Sequence, residues 1–391
     1  MKVLIVGAGI GGPTLAYWLL RAGHQPTLVE RAPELRRGGY LVDFWGAGFD
    51  VAEKMGIADE LRRRGYRFTE ARAVDNHGRR IASFDPSSVV GPGERYVTIA
   101  RSDLAAVIFD ALEGGAELIL NDTVCALDDD GQRVRVRFER GAERDFDLVV
   151  GADGLHSQVR RLAFGPEHQF EKYQGIVVSA FEVSQYRPRD ELVAVMHAEV
   201  GYNAVRVALR DDITLVLLTV RDDGNMPTES VSDQQAVLRT RLAGAGWETP
   251  ALLAAMPEAR TFYFDRVSQI RMPSWIRGRV ALVGDAAACP SLLAGQGSAL
   301  AMVEGYVLAA ELARSVDHVQ AFARYQDRLA SFLRSKQKAA EGLGVAFAPR
   351  NRLQLLTRNT VMRLMGLPRV ADLAMGRSFH DAIELPAFVA A

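Results

Sequence analysis

The sequence has little of what builds metal centres, disulfide frameworks or polyanion-binding surfaces. Its only two cysteines, Cys125 and Cys289, lie far apart, so it predicts neither a disulfide framework nor a zinc site. The seven histidines show no metal-binding spacing. With 47 Lys and Arg against 48 Asp and Glu, the chain lacks the cationic excess that nucleic-acid binding requires. We therefore predict no metal ion and no nucleic-acid partner, and the cysteine usage favours a reducing cytoplasm.

Long hydrophobic runs are also scarce. The uncharged stretch from Val3 to Leu20 superficially resembles a signal peptide, but its glycines and Pro13 are better explained by a strand, a tight turn and a helix. No other run approaches the roughly twenty apolar residues that span a bilayer. A chain of 391 residues that is 48% hydrophobic can bury a large core, so we expect a globular, two-domain protein without a stable membrane anchor.

The glycines near the N-terminus form a motif that is typical of nucleotide binding. The run from Gly7 to Gly12 lies between a strand-like and a helix-like segment, and Gly7, Gly9 and Gly12 fit the pattern G-x-G-x-x-G. In that pattern glycine allows a sharp turn, a close approach to a pyrophosphate and tight packing of helix on strand. The free N–H groups at the helix N-terminus attract phosphate. This segment predicts a dinucleotide site.

Acidic residues accompany the glycine motifs. Glu30 ends the second predicted strand, where a carboxylate can bind ribose hydroxyls, and Arg31 follows it. Gly284-Asp285 ends a later buried strand, and its carboxylate can accept hydrogen bonds from a polyol chain; the alternative, a helix N-cap, is compatible with that role. The segment Gly295-Gln296-Gly297-Ser298 opens a helix whose N-terminus can stabilise negative charge on a reduced flavin. Together with Gly151-Ala152-Asp153-Gly154, these motifs predict an extended FAD.

The pattern of apolar residues predicts the fold class. An apolar run at 3–6, a helix at 14–22 and a strand at 25–30 make a βαβ unit. Residues 48–64 read as one helical stretch, 116–127 as one strand, and 297–314 and 319–343 as long helices. The inserted sheet is predicted from β-like segments at 176–183, 192–199, 204–209 and 213–220. We therefore predict an α/β protein with a Rossmann-like FAD-binding domain of the GR2 type (residues 1–174 and 265–345), a mostly antiparallel β-sheet substrate domain (175–264) and a C-terminal helical segment (346–391).

On these motifs the chain resembles the single-component FAD-dependent aromatic hydroxylases. These are the class A flavoprotein monooxygenases of the para-hydroxybenzoate hydroxylase type, and the resemblance is closest to the branch that contains tetracycline-modifying flavin monooxygenases. It covers the chain to about residue 345 and depends on four motifs in family order. They are the N-terminal glycine motif with Glu30-Arg31, Arg101-Ser102-Asp103-Leu104, Gly151-Ala152-Asp153-Gly154, and Gly284-Asp285-Ala286-Ala287 with Gly295-Gln296-Gly297.

The resemblance implies roles for particular residues. Arg101 is expected to contact the phosphate or ribityl region of FAD, Asp153 to link FAD and NADPH functions, and Asp285 to hold the ribityl chain. The segment from Gly38 to Asp43 is expected to pass near the flavin ring. Arg36 or Arg37 is a candidate contact for the nicotinamide cofactor, the alternative being that both are solvated loop charges. The expected cofactor-binding residues are Gly7, Gly9, Ile10, Gly11, Gly12, Glu30, Arg31, Asp43, Arg101, Val124, Asp153, Asp285, Gly295, Gln296, Gly297 and Ser298.

Two departures from the family pattern alter the expected substrate pocket. Ala288 replaces the usual histidine, and the usual prolines are displaced in the segment from Cys289 to Ala294. Cys289 is a candidate flavin attachment point, although a buried free thiol is the commoner condition. The segment is apolar, so we expect a substrate larger than one benzoate ring. The pocket candidates are Phe44, Trp45, Pro290 and Leu292, with His197 as a pocket or structural group and Arg206 as a carboxylate clamp whose direction strand alternation leaves open.

The resemblance also implies a reaction. NADPH or NADH is expected to reduce FAD as a transient reductant, and O₂ then to form a flavin C4a-hydroperoxide. Its terminal oxygen would pass to an electron-rich carbon of an aromatic or polycyclic phenolic or polyketide substrate. The difficult electronics belong to the cofactor, so no side-chain nucleophile is required. Two alternatives are an FAD-dependent oxidoreductase of the same fold without oxygen insertion and a non-catalytic FAD-binding protein; the sequence carries no signal for oligomeric state.

Overall fold

The computed structural model describes residues 1–35, 40–86, 95–224, 230–315, 317–365, 381 and 383–390. Its strands are β1 (Lys2–Val6), β2 (Gln25–Glu30), β3 (Leu41–Trp45), β4 (Glu70–Val74), β5 (Arg80–Phe84), β6 (Tyr96–Ala100), β7 (Glu117–Leu120), β8 (Val124–Asp129), β9 (Val134–Phe138), β10 (Arg144–Phe146), β11 (Leu148–Gly151), β12 (Glu171–Ser184), β13 (Val193–Glu199), β14 (Tyr202–Ala208), β15 (Ile213–Arg221), β16 (Thr261–Ile270), β17 (Ile276–Arg277) and β18 (Val280–Leu282). Its helices are α1 (Gly11–Arg21), α2 (Ala47–Met55), α3 (Ala58–Arg64), α4 (Arg101–Asp110), α5 (Gln158–Ala163), α6 (Val231–Arg241), α7 (Thr249–Ala255), α8 (Asp285–Ala288), α9 (Gly297–Ala313), α10 (His318–Glu341), α11 (Gly344–Phe347) and α12 (Arg352–Leu364).

A six-stranded sheet supports the glycine motifs. Its strand order is β17-β18-β11-β1-β2-β7, and every neighbouring pair except β17–β18 is parallel. The side chains of Val3, Leu4 and Ile5 in β1 are fully buried, because helices cover a parallel sheet on both faces. The carboxyl ends of β1, β2, β11 and β18 carry the N-terminal glycine turn, Glu30, the Gly151 motif and the Gly284 motif. Parallel pairing therefore brings these distant sequence motifs to one edge.

A seven-stranded sheet, in the order β16-β12-β15-β14-β13-β4-β5, forms the second layer. All its pairs are antiparallel except β13–β4. Side chains alternate between its faces: Val216 and Leu218 pack into a core with α6 and α7, whereas Leu215 and Leu217 face a large cavity. This sheet therefore separates a closed hydrophobic core on one side from an open cavity on the other.

The predicted fold class is confirmed, and the differences have local causes. The helical stretch at 48–64 is two helices, because Gly56 adopts a left-handed conformation (φ 75°) that ends α2. The strand predicted at 116–127 is two strands, β7 and β8, which belong to different sheets. The large sheet also includes β4 and β5, and β12 and β16 extend to residues 171 and 270, so it reaches beyond the predicted range of 175–264.

The C-terminal segment packs back onto the first domain. The Tyr306 hydroxyl of α9 donates to the carbonyl oxygen of Pro386 at 2.6 Å, and the ring of Phe388 lies 4.7 Å from that of Trp18 in α1. Asp381 accepts hydrogen bonds from the Ala47 N–H at 2.6 Å and forms an ion pair with Lys336 at 2.7 Å. The segment predicted as helical contains α12, while residues 383–390 have no helix or strand and cover the buried faces of α1 and α9.

Candidate active site

The N-terminal glycine turn has no room for side chains where it meets its neighbours. Gly7 has a φ of 105°, and a Cβ on it would lie 2.5 Å from the carbonyl oxygen of Ala152. A Cβ on Gly12 would overlap the carbonyl oxygen of Gly7. A Cβ on Gly9 would lie 3.4 Å from Nη2 of Arg101, and Gly9 itself lines the cavity. The first N–H groups of α1, which have no acceptor within the helix, therefore start beside the cavity.

Glu30 is held in place by the same turn. Its Oε2 accepts the Ala8 N–H at 2.9 Å, and its Oε1 accepts the Ala32 N–H at 3.0 Å. Two ionised carboxylate oxygens provide about four acceptor positions, so two are left for hydroxyl groups. Glu30 and Arg31 both line the cavity. This arrangement can hold a ribose beside the glycine turn.

Asp285 is the first residue of α8, shortly after β18, and its side chain lies beside the start of α9. A Cβ on Gly297, the first residue of α9, would lie 3.4 Å from Oδ1 of Asp285. The preceding Gly284 has a φ of 65°, and its N–H donates to Oε2 of the buried Glu304 at 2.7 Å. Burial raises the pKa of Asp285, and nearby Arg101 opposes that shift. Asp285 therefore places a carboxyl group on the cavity wall beside the first turn of α9.

Arg101 begins α4 on the opposite wall. Its N–H donates to the carbonyl oxygen of Tyr40 at 3.1 Å, and its pKa is raised by its interactions with Tyr40 and, more weakly, with Asp285. Because its Nη2 also lies near Gly9, the guanidinium is positioned between the glycine turn and Asp285. A cation at this place can contact phosphate and ribityl oxygens.

Asp153 has a mainly local role. Its carboxylate accepts the Ser157 hydroxyl and the N–H groups of Gln158 (2.7 Å) and Val159 (3.1 Å) at the start of α5. Burial raises its pKa, and these hydrogen bonds oppose that shift. Asp153 lines the cavity, and its Cα would be 2.9 Å from a Cβ on Gly7. It therefore supports the glycine turn by fixing the loop on which that turn rests.

One cavity of about 1430 Å³ connects these residues with the large sheet. Most of the expected cofactor-binding residues line it, namely Gly7, Gly9, Ile10, Gly11, Glu30, Arg31, Asp43, Arg101, Asp153, Asp285, Gly295, Gly297 and Ser298. Gly12, Val124 and Gln296 are not lining residues: Gly12 packs under the turn, Val124 is fully buried at the start of β8, and Gln296 precedes α9 with 7% exposure. Thr123, next to Val124, lines the cavity instead. The expected contacts Arg36, Arg37, Gly38 and Gly39 lie outside the described residues.

Trp45 and Leu292 line the cavity, as expected of pocket residues. Phe44 does not line it, because its side chain points from β3 into the large hydrophobic core around β1, where its ring centroid lies 5.9 Å from that of Phe49. Pro290 does not line it either: the residue is buried, and its carbonyl oxygen accepts a hydrogen bond from the Gln269 side chain. Cys289 is a buried free cysteine on the cavity wall, and burial raises the pKa of its thiol well above the usual value. A thiol held neutral is a poor nucleophile, which disfavours flavin attachment.

The two pocket candidates whose direction the sequence left open, His197 and Arg206, lie outside the pocket. Their neighbours Met196, Val205 and Val207 face the cavity, so strand alternation sends both side chains to the opposite face of the sheet. There the guanidinium of Arg206 binds Glu248 at 2.7 Å and Asp190 at 2.8 Å. His197 contacts the carbonyl oxygen of Val74 and the Tyr202 hydroxyl. Both residues therefore stabilise the back of the sheet.

Sequence reasoning missed Tyr263, Asp265 and His156, a polar group between the cofactor motifs and the sheet. Tyr263 lines the cavity beside Tyr40, a residue of the segment expected near the flavin ring, with ring centroids 5.2 Å apart. The Tyr263 hydroxyl donates to Asp265 at 3.1 Å, and Asp265 lies 3.2 Å from Nε2 of His156. The β-favouring run Thr261-Phe262-Tyr263-Phe264 would have indicated this strand, but its pairing with β12 could not be read from local sequence.

Within the ranges given above, no cluster of three or more His, Cys, Asp or Glu side chains could hold a metal ion. Over the same ranges, no helix combines the length and apolar character needed to cross a bilayer.

The cavity, the glycine turn and the acidic residues beside it fit FAD. A pyrophosphate matches the backbone turn at Gly7 and Gly9, where a side chain on Gly7 has no room, and a ribityl chain matches the carboxylate of Asp285. The fold and site therefore define a flavoprotein with a second, sheet-walled compartment. The model of a family described as an FAD binding domain matches residues 1–330, and the chain belongs to this family. It is an FAD-dependent monooxygenase of class A.

Known proteins similar to this chain support that assignment. An uncharacterized protein of Mycobacterium tuberculosis is 39% identical over 350 residues, covering 86% of this chain and 92% of that protein. A flavin-dependent monooxygenase of an unknown prokaryotic organism is 33% identical and covers 99% of each chain. The crystal structure of tetracycline destructase Tet(55) superposes with a TM-score of 0.85 at 31% identity, covering 99% of this chain and 98% of that one.

Proposed function

We propose that this monooxygenase hydroxylates a polycyclic phenolic compound of the polyketide type, with NADPH or NADH as transient reductant and O₂ as the second substrate. The observation that carries the proposal is the apolar wall of the cavity. The cavity-lining residues of four neighbouring strands are all apolar: Ala71, Ala194, Met196, Val205, Val207, Leu215 and Leu217. Similarity to a tetracycline destructase supports a multi-ring substrate.

The wall argues against a small carboxylate substrate. Moving a carboxylate out of water is costly unless a cation binds it, and the guanidinium of Arg206 lies on the other face of the sheet, between Glu248 and Asp190. Arg101, the cation nearest the flavin motifs, is close to Asp285 and Tyr40. A fused-ring phenol instead gains free energy by burying apolar area, at roughly 25 cal/mol per Å². The apolar wall built by β4, β13, β14 and β15 therefore favours a large, neutral aromatic molecule.

The cofactor roles follow from the positions of the polar groups. We propose that the N-terminus of α1 binds the FAD pyrophosphate, Glu30 the ribose hydroxyls, Asp285 the ribityl chain and Arg101 the phosphate or ribityl oxygens. Bound FAD supplies electron transfer and oxygen activation, while the chain supplies orientation and excludes water. The N-terminus of α9, at Gly297, would stabilise negative charge on the flavin.

A product assay tests this function. The purified protein is incubated with FAD, NADPH, air and a panel of fused-ring phenols, and the products are analysed by mass spectrometry for a gain of one oxygen atom. Oxygenated product together with substrate-dependent NADPH consumption supports the proposal. Flavin reduction without oxygenated product would instead support the oxidoreductase alternative, and efficient turnover of simple hydroxybenzoates would contradict the proposed substrate class.

A further inference from the structure

Tyr263 lies at the boundary between the cofactor motifs and the apolar wall. Its ring packs against the buried cluster that contains Ile176 and Leu293, and the cavity-lining Leu217 and Leu292 pack against the same cluster. On its other side it meets the ring of Tyr40, with a centroid separation of 5.2 Å. Tyr40 in turn interacts with Arg101 and Asp285, two of the residues proposed to hold FAD. A substrate that occupies the cavity next to the flavin would therefore lie beside Tyr263.

The hydroxyl group of Tyr263 has a fixed direction. It donates its hydrogen to Oδ2 of Asp265 at 3.1 Å. Burial raises the pKa of Tyr263 well above its usual value, so the hydroxyl keeps this hydrogen at neutral pH. A hydroxyl has one hydrogen and two acceptor lone pairs, so after donating to Asp265 it can offer a ligand only an acceptor.

Asp265 is itself held as an acceptor. Its Oδ1 accepts the Arg266 N–H at 2.7 Å and lies 3.2 Å from Nε2 of His156. Nδ1 of His156 lies 2.9 Å from Glu167. Hydrogen bonds to these two carboxylates raise the pKa of His156 to about 10, so at neutral pH both ring nitrogens carry hydrogens and donate. With His156 and Arg266 both donating, the carboxylate of Asp265 stays oriented towards the Tyr263 hydroxyl.

We propose that Tyr263 is a specificity-determining residue that accepts a hydrogen bond from a hydroxyl group of the substrate, and that Asp265 and His156 are positioning residues that fix its direction. The proposal rests on the proposed function, because it assumes a phenolic substrate in the cavity. It identifies the substrate feature that is recognised, a hydroxyl hydrogen, and not only ring size. A methyl ether of the same ring system has no such hydrogen and would leave the Tyr263 oxygen without a partner.

Equilibrium binding of a matched ligand pair tests the proposal. The probes are a naphthol and the methoxynaphthalene with the same ring, titrated into FAD-loaded protein by calorimetry without NADPH. The wild type is expected to bind the naphthol roughly three- to tenfold more tightly, the range of one neutral hydrogen bond. Tyr263→Phe is expected to bind the two compounds equally. Asp265→Asn is expected to reduce or reverse the preference, because an amide can donate to the Tyr263 oxygen and free its hydrogen to face the ligand.

The chain offers a matched control. Tyr173 also donates to an aspartate in the large sheet, Asp222, at 2.7 Å, but it is absent from the cavity wall as described. Tyr173→Phe should therefore keep the wild-type preference. Equal binding of both probes by the wild type, or a preference that persists in Tyr263→Phe, would overturn the inference while leaving the polycyclic substrate class in place. Binding of a hydroxybenzoate but of neither naphthalene compound would overturn the proposed function and the inference with it.

Discussion

Replacement of Asp285 by alanine should weaken FAD binding strongly. The carboxylate borders the first residue of α9, and Oδ1 would lie 3.4 Å from a Cβ on Gly297, so a ribityl chain beside this helix would contact it. A hydrogen bond to a charged group contributes about 1.5–3 kcal/mol, which corresponds to a rise in Kd of roughly 10- to 150-fold. Arg101 would also lose its interaction with Asp285, which adds to the loss.

The assay is a fluorescence titration of apoprotein with FAD, repeated with Asp285→Asn and Asp153→Ala. The asparagine variant keeps a neutral acceptor, so its Kd should lie between those of wild type and Asp285→Ala. Asp153 accepts the first N–H groups of α5, whose N-cap is Ser157, so its replacement should lower the free energy of unfolding by about 0.5–2 kcal/mol, as loss of a capping side chain does, and change FAD affinity less. An unchanged Kd in Asp285→Ala, or a larger change in Asp153→Ala, would refute the assignment.

Four further predictions follow from the same geometry. Gly12→Ala should abolish FAD binding and lower the thermal midpoint because its Cβ would overlap the Gly7 carbonyl oxygen, whereas Gly244→Ala, with open space around it, should change neither. Leu292→Arg should abolish hydroxylation of a fused-ring phenol, as measured by product mass, but leave FAD bound, because the buried charge would be unpaired; Leu356→Arg, on an exposed helix face, should retain activity. His156→Gln should lower the thermal midpoint most below pH 6.5 and progressively less up to about pH 10. The reason is that folding raises the pKa of His156, so the stabilisation from its protonated ring is lost as the pH rises through that raised pKa. Equal losses at pH 6 and pH 10.5 would contradict this. NADPH should reduce the flavin faster in stopped-flow traces when substrate is bound, since the sequence lacks a second glycine-rich Rossmann motif to hold NADPH permanently.

The cofactor side could be predicted from sequence because its determinants are local. The glycine pattern at 7, 9 and 12 lies within six residues between a strand and a helix, Glu30 ends a buried apolar strand and Asp285 follows another. Parallel pairing then makes their meeting at one sheet edge a topological consequence. These features can be predicted without any knowledge of side-chain packing.

The substrate side was harder to predict because it depends on which face a strand presents. Neighbouring residues of a strand point to opposite faces of the sheet, so Val205 and Val207 line the cavity while Arg206 does not. A register shift of one residue would reverse this assignment. The Tyr263–Asp265–His156 group joins residues from β16 and from the loop before α5, and only the tertiary fold brings them together. Sequence spacing carries no signal for such a contact.

The most direct test of the account is oxygen labelling. The protein is loaded with FAD and supplied with NADPH, a fused-ring phenol and isotopically labelled O₂, and the product is analysed by mass spectrometry. The account predicts a product that contains one labelled oxygen atom per molecule, with NADPH consumed in the same amount. A product whose added oxygen is unlabelled, or NADPH consumption that yields only labelled peroxide for every phenol tested, would contradict it.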